Sequence, residues 1–165
     1  MPVIIRDALL KDLNAIVSIY NAVIKEGGFT ADIKPYSLTT KKEWFSVLKG
    51  KKNILVIEKD QALAGYFYFS PWREGREALK SVAEISFYLA KDFRQQGLGN
   101  MIMSKAITIA KKKGFSHLLA ILLDSNKASV ALLKKHGFEK AGHLPGIARF
   151  KDYTCGQYLM QKKLI

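Results

Sequence analysis

Residues 82–102 read VAEISFYLAKDFRQQGLGNMI. Val82, Glu84, Ser86 and Tyr88 alternate with Ala83, Ile85, Phe87 and Leu89, the period-two pattern of a strand with one wholly apolar face. A polar turn, Arg94-Gln95-Gln96-Gly97-Leu98-Gly99, follows at once. From Gly97 to Lys113 the apolar residues Leu98, Met101, Ile102, Ala106, Ile109 and Ala110 mark an amphipathic helix that Gly114 closes. The first N–H groups of a helix have no internal acceptor, and the dipole makes that end positive. Glycines let such amides approach a phosphate closely. The turn therefore reads either as a pyrophosphate cradle or as a tight turn relieved by glycine. It lacks the lysine and hydroxyl of a P-loop. One G-x-G after an antiparallel stretch is not the dinucleotide fingerprint.

Working outward, PVIIR at 2–6 predicts a short strand, and the stripe Leu13, Ile16, Val17, Tyr20, Ile24 predicts a helix that Gly27-Gly28 ends. FTADIKPYSLTT is loop-like, and Thr39 or Thr40 is a candidate cap for a second helix through Trp44, Phe45 and Leu48. NILVIEKD and ALAGYFYFSPW, joined at Asp60-Gln61, predict a hairpin. SHLLAILL is apolar throughout, as a central strand covered on both faces would be. A helix over 126–136 and strands over about 138–144 and 154–163 complete the order β-α-α-β-β-β-α-β-α-β-β. Antiparallel strands feeding a β-α-β unit predict an α/β fold, a mixed sheet with helices on both faces.

The chain has 165 residues, 48% of them hydrophobic and 25% charged, enough for one domain over 1–165 with an ordinary core. No apolar run approaches a membrane span, and the charged first dozen residues do not read as a signal peptide. A single cysteine, Cys155, excludes an internal disulfide and a cysteine-rich zinc site. His117, His136 and His143 are scattered, so no metal is expected. These features predict a cytoplasmic protein with no membrane partner. The 27 Lys plus Arg against 14 Asp plus Glu give a net charge of +13, which favours a polyphosphate ligand or solvated helix ends. No aromatic-interleaved basic patch points to nucleic acid.

Glu84 is the candidate base. A carboxylate in mid-strand tends to lose water, which raises its pKa; the alternative is a solvent-facing Glu on a half-exposed strand. Around it the residues resemble a known family. Arg94-Gln95-Gln96-Gly97-Leu98-Gly99 is similar to the [RQ]-x-x-G-x-[GA] signature of the GNAT N-acetyltransferase superfamily, and Asn126-x-x-Ser129-x-x-Leu132 with His136-Gly137-Phe138 to its second segment. Ile19-Tyr20-Asn21, Gly65-Tyr66, Pro71-Trp72-Arg73, Glu84-x-Ser86-x-Tyr88 and Asp152 bring it closer to the phosphinothricin and methionine sulfoximine acetyltransferase subgroup.

The resemblance implies a mostly antiparallel sheet with a central splayed strand pair and acetyl-CoA as donor, held along Phe87, Tyr88 and Leu89. It implies pyrophosphate on the amides of Gln95, Gln96, Gly97, Leu98, Gly99 and Asn100, with Asn126 and Ser129 nearby. It implies an acceptor pocket bordered by Arg73, Arg76, Glu77, Ala78 and His136, and closure of that pocket across a homodimer. Arg73 and Arg76 could hold an acceptor's anionic group or be solvated loop charges; His136 could border the pocket or cap its helix. Two departures stand out. Leu133 occupies a position where many members carry a Tyr or His acid, and an aromatic of the acceptor loop is missing around Ala78-Leu79. The expected function is N-acetylation of a small amino-acid-like amine. A protein N-terminal or lysine acetyltransferase acting on a basic partner is the alternative, and a non-catalytic binding module is disfavoured by Glu84 and the intact turn.

Overall fold

The computed structural model describes residues 2–165. Its elements are β1 (Ile4–Asp7), α1 (Leu13–Glu26), α2 (Leu38–Gly50), β2 (Ile54–Lys59), β3 (Ala62–Pro71), β4 (Val82–Leu89), α3 (Leu98–Lys112), β5 (His117–Leu123), α4 (Lys127–Lys135), β6 (Glu139–Arg149) and β7 (Thr154–Lys163). The order is the expected one. The seven strands form a single sheet, β1-β2-β3-β4-β5-β7-β6, antiparallel except at β4–β5. Asp60 and Gln61 both have positive φ, the two-residue reverse turn that matches strand twist in a hairpin.

Two apolar layers sandwich the sheet. On one face Phe67, Phe69, Ile85, Leu118 and Ala120 pack on α3 and α4; on the other Ile54, Val56 and Tyr66 pack on α1 and α2. α3 buries Leu98, Ile102, Met103, Ala106 and Ala110, while Met101, expected in the stripe, is exposed. α2 is capped by Ser37, whose Oγ accepts from the Thr40 N–H at 3.1 Å, and not by Thr39 or Thr40. β6 runs to Arg149 instead of stopping near 144. A register shift between Leu144 and Ala148 absorbs Pro145-Gly146, which an edge strand tolerates because one side of its ladder is open. At the opposite edge Arg6 ties β1 to its neighbours: it donates to Asp12 at 2.7 Å and also pairs with Glu58 of β2. Burial alone would raise the Asp12 carboxyl; Arg6 and the Leu9 N–H outweigh it and hold Asp12 below the usual carboxylate range.

Candidate active site

The sheet opens at its centre. β4 and β5 share register only from Val82↔His117 to Glu84↔Leu119, yet β4 continues to Leu89 and β5 to Leu123. Beyond Glu84 the parallel pair therefore separates. The gap is a cleft of about 740 Å³ lined by Ile85–Leu89, Ala120–Leu122, the 94–100 turn and α4. Phe87, Tyr88 and Leu89, which the resemblance puts along the donor, line its β4 wall together with Ile85 and Ser86.

The turn at the mouth is a set of unsatisfied donors. Phe93 and Arg94 donate back to Ala90 and Lys91, and Asn100 and Met101 donate to the Gly97 carbonyl. Between them, the N–H groups of Gln95, Gln96, Gly97, Leu98 and Gly99 have no protein acceptor among the described residues. Converging amides at a helix N-terminus suit an anion. Gly97, with φ +79°, takes a conformation only glycine adopts easily, and a Cβ there would meet open space. Gly99 serves packing instead: a Cβ would lie 3.1 Å from Leu132 Cδ2 of α4. Gln95, Gly97, Gly99 and Asn100 line the cleft, while Gln96 is exposed and Leu98 points into the core. Asn126 caps α4, its Oδ1 accepting from Ser129 N–H at 3.2 Å, and both residues line the cleft. Leu133 is buried at the cleft wall, a hydrocarbon with no proton to give.

Cross-strand register sets Ser70 opposite Glu84, Tyr68 opposite Ser86 and Tyr66 opposite Tyr88, all on the face that α1 and α2 cover. Glu84 is half-buried, and burial pushes its carboxyl above the ordinary glutamate range. Tyr20 of α1 meets the Tyr88 ring edge-on at 4.9 Å, and Trp44 of α2 meets Tyr68 at 5.2 Å. On the same face Tyr20, Lys41, Trp44, Tyr66 and Tyr68, with Ile16 and Val17, line a small recess with room for about one water.

The loop between β3 and β4 precedes Glu84 directly. Arg73, Arg76, Glu77 and Ala78 are exposed in it and line neither the cleft nor the recess. Glu77 pairs with Lys80 at 2.9 Å. His136 caps the end of α4, and its Nε2 lies 3.1 Å from Asn100 Oδ1, so it braces α4 against the start of α3. Burial, with Lys135 and Lys162, lowers its pKa.

Two groups of residues were not legible as site residues in the sequence. Arg94, known only as a motif letter, fastens the cradle to α1. Its Nη1 donates to both Glu26 carboxylate oxygens at 3.0 and 2.9 Å, its Nε donates to the Leu89 carbonyl at 3.1 Å, and its guanidinium stacks on Phe29. Asp32, in a stretch read as plain loop, accepts from the hydroxyls of Tyr20 and Tyr36, while Asn21 clamps the Tyr36 backbone with two 2.8 Å bonds. A polar loop residue gives no signal that it will organise an aromatic wall.

The sequence profile described as "Acetyltransferase (GNAT) family" matches residues 16–138. The chain is 35% identical to YwnH of Bacillus subtilis (strain 168), named provisionally a phosphinothricin acetyltransferase, over 84% of this chain and 85% of that one. It is 29% identical to an L-methionine sulfoximine/L-methionine sulfone acetyltransferase of Pseudomonas paraeruginosa, over 93% and 92%. A phosphinothricin acetyltransferase from Sinorhizobium meliloti, solved in complex with AcCoA, superposes with a TM-score of 0.93 at 28% identity, over 99% of this chain and 89% of that one. The profile match runs through both the splayed strands and the turn after β4, and the chain belongs to the acetyltransferase (GNAT) family.

Proposed function

We propose that the protein, a single N-acetyltransferase domain over 1–165, moves an acetyl group from acetyl-CoA to the primary amine of a small amino-acid-like acceptor of the phosphinothricin or methionine sulfoximine type. The names of its relatives support that acceptor class. The observation that carries the reading is the splay at Glu84, with orphan amides at the start of α3 and a half-buried carboxylate on the strand face that α1 and α2 cover.

The residues present fit acetyl-CoA. The free N–H groups of residues 95–99 would hold its pyrophosphate, the open edge of β4 at Phe87–Leu89 would hold its amide arm, and Asn126 and Ser129 flank the path. Bound there, it supplies an acetyl thioester at the splay. Glu84 takes the proton from the acceptor ammonium, directly or through one water, because the amine attacks only when neutral and is mostly protonated near pH 7. A carboxyl with a raised pKa is the stronger base for this work. Leu133 delivers no proton to the departing sulfur. Arg73 and Arg76, exposed before β4, steer an anionic acceptor towards the face of Glu84. Glu77 and Ala78 border its entrance, and His136 braces the cradle through Asn100.

We also assign a homodimer and a cytoplasmic setting. On the face shared with Glu84, Ile121 of β5 and Leu144 of β6 are 38% and 54% exposed. A second copy would bury this face and close the acceptor side. The test of the reaction is a screen of amines with acetyl-CoA, reading thiol release and product mass. Methionine sulfone, methionine sulfoximine or phosphinothricin should give the highest kcat/KM. Faster turnover of N-terminal peptides, lysine peptides or polyamines would overturn the acceptor assignment.

A further inference from the structure

α3 and α4 pack on the sheet face opposite Glu84, and they meet where the cradle begins. There Gly99 lets Leu132 come close, and His136 reaches Asn100, its Nε2 3.1 Å from Asn100 Oδ1. Asn100 stands in the first turn of α3 and lines the cleft directly after the unsatisfied amides of residues 95–99. His136 itself lines neither the cleft nor the recess, so its effect on a ligand passes through Asn100. The Asn100 amide has two ends. Its oxygen faces the imidazole, and its Nδ2 has no acceptor among the described residues. The imidazole, for its part, makes no other hydrogen bond among those residues.

An amide is turned one way or the other by the group it meets. With Oδ1 on the ring, the ring donates, so Nε2 carries the proton and the amide nitrogen is left for the cleft. With the amide reversed, the ring accepts, and a carbonyl oxygen stands beside the row of N–H groups that suits an anion. Its lone pairs would repel a phosphate, whereas an N–H would join the other donors. Burial and the ammonium groups of Lys135 and Lys162 lower the His136 pKa, so near pH 7 the ring is neutral and has one proton to donate. The backbone beneath the ring is fixed at the end of α4, where the His136 N–H donates to the Leu132 and Leu133 carbonyls at 3.2 and 3.1 Å.

We propose that His136 is a positioning residue for the acyl donor: by donating from Nε2 to Asn100 Oδ1, it turns the Asn100 amide so that Nδ2 donates to a phosphate of acetyl-CoA in the 95–99 cradle. The proposal rests on the acetyl-CoA reading and deepens it. It puts His136 on the donor side of the site, where the resemblance implied a border of the acceptor pocket. The gain is one side-chain donor added to those of the backbone. An amide already turned loses less freedom when the ligand arrives.

The test measures dissociation constants for acetyl-CoA and for acetyl-pantetheine, which keeps the thioester arm and lacks every phosphate. The chains compared are the native one, His136→Leu, His136→Gln, His136→Asn, Asn100→Ala and the double variant His136→Leu/Asn100→Ala, with melting temperature as the check of fold. His136→Leu should weaken acetyl-CoA about 3–10-fold, the worth of one ordinary hydrogen bond. It should weaken acetyl-pantetheine far less, so that the preference for the phosphate-bearing donor falls. Glutamine places an amide N–H near the position of Nε2 and should restore most of the loss. Asparagine, one carbon shorter, places it near Nδ1 and should not. Asn100→Ala should lose as much as His136→Leu, and the double variant no more than Asn100→Ala alone, because one residue acts through the other. If His136→Leu leaves the preference between the two donors unchanged, or its loss adds in full to that of Asn100→Ala, His136 only holds α4 against α3 and the proposal fails. The acetyl-CoA reading survives that result provided the native chain binds acetyl-CoA and Gly97→Val abolishes the binding. If the native chain binds acetyl-CoA no better than acetyl-pantetheine, the cradle reading falls and the proposal with it.

Discussion

Glu84 concentrates the chemistry in one side chain, and its burial sets two opposed effects. As a base, a carboxyl pushed above the glutamate range should place the acidic limb of the kcat/KM profile above the ordinary value of about 4.3. Glu84→Gln keeps the shape and loses the basicity; the rate should fall roughly 10²–10⁴-fold with acetyl-CoA binding little changed. Near-native kcat across neutral pH in that variant would refute the role. Stability moves the other way. A pKa raised in the folded state means the protonated form is favoured there, so stability is fully present below the unfolded pKa and is lost as pH rises through the folded one. At pH 7–8 Glu84→Gln removes that loss and should raise Tm by up to about 2–4 °C, the shift that ~1 kcal/mol produces in a domain of this size. At pH 4 the gap should close. Paired thermal melts at the two pH values decide it. A residue that costs stability while supplying rate is what a functional site should contain.

Among the elements, the turn between β4 and α3 carries the most information, and its two glycines act differently. Gly97 is needed for its backbone angle; Gly99 is needed so that α4 can approach through Leu132. Gly97→Val should therefore redirect the orphan amides and abolish the Tm rise that acetyl-CoA gives to the native chain. Gly99→Val should cost about 1–3 kcal/mol by overpacking, and Leu132→Ala in the same chain should restore part of it. An unchanged acetyl-CoA shift in a folded Gly97→Val variant would remove the cradle from the mechanism. The aromatic wall shows how an element gains meaning only in company. Tyr20 entered the sequence reading as a residue in the apolar stripe of α1 and as part of the Ile19-Tyr20-Asn21 piece of the resemblance. Packed, its ring abuts Tyr88, its hydroxyl is held by Thr30 and Asp32, and it backs Lys41.

At the scale of the molecule, Ile121 and Leu144, exposed on the Glu84 face of β5 and β6, argue for two copies. The native chain should sediment at twice the single-chain mass and Leu144→Asp at the single mass. With a net charge of +13 on each copy, the native pairing should tighten as salt rises. A native monomer at micromolar concentration would exclude the homodimer. The sequence by itself determined the order of the elements, the two-faced β4 strand with Glu84 on it and the glycine turn into α3, because alternation, helical stripes and a strand–glycine–helix junction are local patterns in which neighbours along the chain decide the outcome; the family was legible through the likeness of the 94–99 and 126–138 stretches to its motifs. Only the tertiary structure decided the rest. That β4 and β5 part company after Glu84 depends on which strands pair, and pairing joins residues more than thirty positions apart. Lys41 reads as one surface lysine among many until α2 lies on α1 and the sheet, and Tyr20 of α1 joins Tyr36 and Trp44 around its ammonium. Desolvation is a property of what folds over a residue, so the raised pKa of Glu84 and the lowered one of Lys41 are facts of packing that no stretch of sequence carries alone.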